Sequence, residues 1–139
     1  MIVLDTNVLS ALMRQTPDRD VVDWLDDQPR TSIWTTAITV LEVQFGLQIL
    51  PTGRRRSLLM QAFETLLIEK IESRVAPFDL AAAQHAAGLM AGRQKRGRPV
   101  DLRDTLIAGI VVAHGAALAT RNTNHFADLP VRVVNPWKR

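Results

Sequence analysis

The sequence predicts an α/β fold, a three-layer α/β/α sandwich with a central parallel sheet. Three observations point there. Short apolar segments alternate with longer helical patterns along the whole chain. The short segments are nearly continuous apolar runs, the pattern of strands buried on both faces. No linker, repeat or low-complexity tract divides the 139 residues, so a single domain over 1–139 is expected.

Ile2-Val3-Leu4 reads as the first strand, ended by Asp5. Asn7 to about Arg14 reads as a helix broken by Pro17, and Asp18 to Asp27 as a second, stopped by Pro29. Ser32 to Thr35 is β-rich. Thr36 or Thr39 caps a third helix running to about Leu50, which Pro51-Thr52-Gly53 ends. A fourth helix passes through Leu58, Leu59, Phe63, Leu66 and Leu67, and a brief strand covers Val75 to Phe78. Asp79 caps an Ala-rich fifth helix reaching about Lys95, and Gly97-Arg98-Pro99 is a loop. Asp101 caps a sixth helix, Leu102 to His114, apolar nearly all round from Leu106 to Ala113 and therefore buried. Ala116 to Thr120 and Val131 to Val134 are the last strands.

Composition narrows the function. The chain is 47% hydrophobic and 22% charged, a globular balance. No run approaches the ~20 apolar residues of a membrane helix, and the first residues do not resemble a secretory leader, so a cytoplasmic protein is expected. The absence of cysteine excludes disulfides and thiolate metal sites. The formal net charge is +3. The cations are mostly arginine, which suits bidentate phosphate binding and equally suits a solvated surface.

Four polar residues stand where one crevice would collect them, because parallel sheets gather function beyond the carboxyl ends of their strands. Asp5 ends the first strand and is either a helix cap or a ligand. Glu42 lies beside an expected apolar stripe of Ile38, Leu41, Phe45 and Ile49, and a carboxylate there needs an arginine, an edge position or a metal. Asp104 opens the most apolar helix, either as part of a capping pattern with Asp101 or aimed at the crevice. Asn122 follows a strand, as a turn residue or a neutral ligand for water or phosphate. Clustered carboxylates without cysteine call for a hard cation, Mg²⁺ or Mn²⁺. Such an ion polarises a phosphoryl oxygen and activates water.

These segments resemble the PIN-domain ribonucleases of the VapC toxin family, especially the FitB-like branch. Met1-Ile2-Val3-Leu4-Asp5-Thr6-Asn7-Val8 is similar to the first motif, and Thr39-Val40-Leu41-Glu42-Val43-Gln44-Phe45-Gly46 to the second. Asp104-Thr105-Leu106-Ile107-Ala108-Gly109 is similar to the third. Ala119-Thr120-Arg121-Asn122-Thr123-Asn124-His125-Phe126 and Val134-Asn135-Pro136-Trp137 resemble the closing segment. The resemblance implies the toxin of a type II toxin–antitoxin system, a Mg²⁺- or Mn²⁺-dependent single-strand endoribonuclease. It implies a homodimer, a cognate VapB-like antitoxin, and operator DNA bound only through that antitoxin. Asp5, Glu42 and Asp104 would be the catalytic metal-site acids, with Thr6, Thr120 and Asn122 positioning substrate or water. Some relatives carry Asp at Asn122. Three acids serve one metal and leave a second open, as well as the alternative of a catalytically weak module working through a DNA-binding partner.

Other features carry lesser expectations. None of His85, His114 and His125 is assigned to the acid cluster. Arg54-Arg55-Arg56 and Arg93, Lys95, Arg96, Arg98 are either phosphate tracks or solvated runs. Val21, Trp24, Leu25, Leu58, Leu59 and Phe63 are expected in the core.

Overall fold

The computed structural model describes residues 1–98 and 101–138. Pro99, the end of the expected loop, lies outside the described residues. Five short strands, β1 (Ile2–Leu4), β2 (Ile33–Thr36), β3 (Val75–Ala76), β4 (Ala117–Ala119) and β5 (Val133–Val134), form one sheet in the order β3-β2-β1-β4-β5. All four pairings are parallel. The helices are α1 (Thr6–Met13), α2 (Arg19–Asp26), α3 (Ala37–Gln48), α4 (Arg54–Thr65), α5 (Leu80–Lys95) and α6 (Leu102–His114). No helix among the described residues is long and apolar enough to cross a membrane.

The strand order reverses at β1, which lies between β2 and β4. A parallel sheet leaves a crevice at that point, beyond the strand ends. Asp5 and Thr120 are the first residues past β1 and β4. The backbone carries the ladder on: Asp5 N–H donates to Ala119 O at 2.9 Å and Thr120 N–H to Val134 O at 2.9 Å.

Successive residues of β1 face opposite layers, as a strand requires. Leu4 joins Val8, Leu9, Val21, Val43, Leu47 and Phe63 in the core beneath α1–α4. Val3 joins Ile107, Ala108, Val111 and Leu118 in the core beneath α6. Asp18, Thr36, Asp79 and Asp101 cap their helices by accepting backbone N–H bonds. α6 ends at Gly115, whose φ of +59° is the left-handed cap that favours glycine. α5 and α6 touch backbone to side chain: a Cβ on Gly109 would stand 2.5 Å from Ala82 O and 2.8 Å from Ala86 Cβ.

The sheet is as expected, with β2 shifted by one residue to Ile33–Thr36 and other strands trimmed at their ends. β3 stops at Ala76 rather than Phe78, and β5 starts at Val133 rather than Val131. Two readings are corrected. The α3 stripe is not core: Leu41, Phe45 and Ile49 are 55%, 52% and 67% exposed. Thr39, Val43 and Leu47 are the buried positions instead. α3 is apolar on several sides, so spacing alone did not select its inner face. Leu58, expected in the core, is exposed, whereas Val21, Leu25 and Phe63 are buried.

Candidate active site

Asp5, Glu42 and Asp104 line one open cleft of about 370 Å³, together with Asn122, Arg121 and Trp137. The fold brings them there from four directions. Asp5 caps α1, its Oδ1 accepting the Thr6 N–H at 2.8 Å. Its Oδ2 accepts the Thr120 hydroxyl at 2.7 Å, from the end of β4. Glu42 stands one turn into α3, and the Thr6 hydroxyl donates to its Oε1 at 3.1 Å. Asp104 sits in the first turn of α6, its own N–H donated to the Asp101 cap at 3.0 Å. Thus Thr6 and Thr120 hold two of the acids. Asn122 N–H donates to Thr120 Oγ1 at 3.1 Å.

Burial pushes the Asp5 carboxyl above its ordinary value, opposed by the bonds from Thr120 and Thr6 and reinforced by the charge of Asp104. Burial also raises Glu42, opposed by the Thr6 bond and reinforced by Asp5 and Asp104. The acids therefore sense one another. They also meet cations of the chain. Arg103 Nη1 is 3.8 Å from Glu42 Oε2, and its guanidinium lies 5.9 Å from the Phe45 ring centre.

The expectation that no histidine touches the acid cluster is overturned. His125 Nδ1 lies 2.9 Å from Asp104 Oδ2. An ionised carboxylate only accepts, so Nδ1 carries the proton in this contact. His125 belongs to a 3₁₀ turn, Thr123–Phe126, that folds back over the start of α6. Only the tertiary fold brings these residues together.

A second correction concerns Arg93, grouped in the sequence with a solvated or phosphate-binding run. It is buried. Its Nε and Nη2 grip Asp128 at 2.9 Å each, its Nη1 donates to Thr105 Oγ1 at 2.9 Å, and its Nη2 to His125 O at 3.1 Å. One guanidinium thus ties α5, α6 and the His125 turn together beside Asp104. The signal was legible: Arg93 continues the inward face of Ala82 and Ala86 at helical spacing. None of Arg54, Arg55 and Arg56 lines the cleft.

The all-oxygen donors of the cleft suit a hard dication in kind, and the crowding of three carboxylates favours one. Among the described residues, no group of three His, Cys, Asp or Glu side chains is arranged to hold an ion by itself. One oxygen each of Glu42 and Asp104, Oε2 and Oδ2, meets Arg103 and His125. The fit is one of donor chemistry rather than of a closed cage.

Comparison with known proteins agrees. Residues 2–131 match the PIN domain family. The chain is 41% identical over 138 residues to VapC ribonuclease Y4jK of Sinorhizobium fredii, covering 99% of each. It is 34% identical over 137 residues to Toxin FitB of Neisseria gonorrhoeae, again covering 99% of each. The solved structure of FitAB bound to an IR36 DNA fragment superposes with a TM-score of 0.89 at 33% identity, over 100% of this chain and 97% of that one. Fold, motif positions and relatives agree: the chain belongs to the PIN-domain family, within the VapC/FitB toxin–antitoxin group and close to its FitB-like branch.

Proposed function

We propose that this chain is a toxin that cuts single-stranded RNA with the help of Mg²⁺ or Mn²⁺. The observation that supports it is the meeting of Asp5, Glu42 and Asp104 in one cleft at the sheet's reversal point. Asp5 and Asp104 would hold the ion, with Glu42 completing the shell directly or through water. When bound, the dication neutralises charge on a phosphoryl oxygen and lowers the pKa of water.

The chain's own residues prepare that chemistry. Thr120 fixes Asp5 Oδ2 and Thr6 fixes Glu42 Oε1, so both carboxylates keep one orientation. His125 does the same for Asp104 Oδ2. Asn122 offers an uncharged amide on the cleft wall for a water or phosphate oxygen. Hydrolysis joins the water oxygen to phosphorus and breaks the P–O3′ bond, leaving a 3′-hydroxyl and a 5′-phosphate. The test is cleavage of single-stranded RNA by purified protein with Mg²⁺ or Mn²⁺. Asp5→Asn and Asp104→Asn are expected to lose it. Cutting by Asp5→Asn at the wild-type rate overturns the assignment.

A second reading is a catalytically weak PIN module working through a DNA-binding partner. Asn122 in place of a fourth acid favours it, as does the exposed apolar row Leu41, Phe45 and Ile49 on α3. Both readings include a VapB-like antitoxin, operator DNA reached only through it, and a homodimer. FitAB bound to DNA supports that assembly by likeness. Growth arrest on expression, rescued by co-expression of a VapB-like antitoxin, separates the toxin from the inert scaffold.

A further inference from the structure

The same cleft is lined by two arginines, Arg14 and Arg121, and by Trp137. Arg14 caps the end of α1, and Arg121 follows β4. Both are exposed. Among the described residues neither makes an ion pair, although three carboxylates line the same cleft. A cation left unpaired at an acidic cleft is available to an anion that enters it.

Arg121 is also fixed in place. Its backbone N–H donates to Asn7 Oδ1 at 3.2 Å. Its guanidinium carbon lies 4.9 Å from the centre of the Trp137 ring, a cation–π contact. The indole packs against the core beneath α1–α4, and the Trp137 backbone N–H donates to Asn135 Oδ1 at 2.9 Å. Such a contact limits the rotamers of a long side chain while leaving its N–H fork free. A planar, restrained fork suits a phosphodiester.

We propose that Arg121, held by Trp137, and Arg14 form a phosphate anchor for an RNA nucleotide neighbouring the bond that is cut. This rests on the ribonuclease reading above. Arg121 and Arg14 contact the substrate backbone, and Trp137 is a positioning residue. The anchor would fix the register of the strand across the acids without reading its sequence.

The test is binding of a fluorescein-labelled, unstructured 12-nucleotide RNA to the full chain in EDTA, followed by anisotropy across a salt series. Each phosphate contact with a single strand adds about −0.7 to the slope of log affinity against log salt. Arg121→Gln and Arg14→Gln are each expected to flatten the slope by about that amount. Arg121→Lys is expected to keep the slope and still bind several-fold more weakly, since an ammonium lacks the planar fork. Trp137→Phe is expected to bind nearly as wild type, and Trp137→Leu to resemble Arg121→Gln. Arg54→Gln, away from the cleft, is expected to change nothing. Unchanged slopes in both glutamine variants overturn the anchor, as does a wild-type chain without salt-dependent RNA binding. Slopes flattened in these variants, with no cleavage by wild type in Mg²⁺ or Mn²⁺, keep Arg121 and Arg14 as a phosphate site for bound RNA and sink the ribonuclease reading. Cleavage by wild type with unchanged slopes does the reverse.

Discussion

Replacing Asp128 by alanine tests whether the Arg93 clamp supports the candidate site. The Arg93 side chain is 7% exposed and that of Asp128 15%. Truncation removes both 2.9 Å charge-assisted bonds and leaves a buried guanidinium with two neutral acceptors, Thr105 Oγ1 and His125 O. Breaking a buried pair in this way costs about 3–5 kcal/mol. The lower end applies, because Asp128 keeps some solvent. About 3 kcal/mol is a large part of the 5–15 kcal/mol that typically stabilises a domain. At ~4 °C per kcal/mol for a chain of this size, Tm should fall by about 12 °C at pH 7. The pH dependence has a definite sign. The bond from Arg93 holds the Asp128 carboxyl below its ordinary value. Its stabilisation is therefore full above the unfolded carboxyl value, ~3.9, and is lost as pH falls through the folded value. Wild type and Asp128→Ala should converge in acid. Thermal melts followed by circular dichroism between pH 3 and pH 7 measure both effects. An Asp128→Ala protein melting within about 3 °C of wild type at pH 7 refutes the reasoning. The double variant Arg93→Met with Asp128→Leu should recover much of the loss, because no unpaired charge stays buried.

Other outcomes follow from the same geometry. Asp5→Asn should melt at or above the wild-type temperature at pH 7. Burial raises the folded pKa, so the stability held with the neutral carboxyl is lost as pH rises through that value, and an uncharged amide removes that loss; a large fall in Tm would contradict this. Because burial raises both Asp5 and Glu42, Mn²⁺ affinity measured by paramagnetic resonance should begin to fall with pH above the ordinary carboxylate values of 3.8 and 4.5. An affinity flat from pH 7 to pH 4 would count against them as ligands. His125→Ala should weaken Mn²⁺ binding about 10-fold by releasing Asp104 Oδ2. Gly109→Ala should cost about 2 kcal/mol or more, read by urea unfolding, because Ala82 O belongs to a helix backbone that yields little.

The layers, and which acids line the candidate cleft, could be read from local pattern. β1 and β4 are apolar runs because both sheet faces are covered, and that pattern is local. Asp18, Asp79 and Asp101 announce helix starts because a capping side chain needs only the next few N–H groups. Asp5, Glu42, Asp104 and Asn122 were legible because each stands at an element end or flank that the topology turns into one cleft. The tertiary structure decided what local spacing could not. α3 carries apolar residues on several sides, and only its neighbours select Val43 and Leu47 over Leu41 and Phe45 as core. The His125–Asp104 contact spans 21 residues and the Arg93–Asp128 clamp spans 35. No periodicity encodes such pairs. They exist because a turn after β4 folds over the start of α6, where a buried guanidinium must find every acceptor it can.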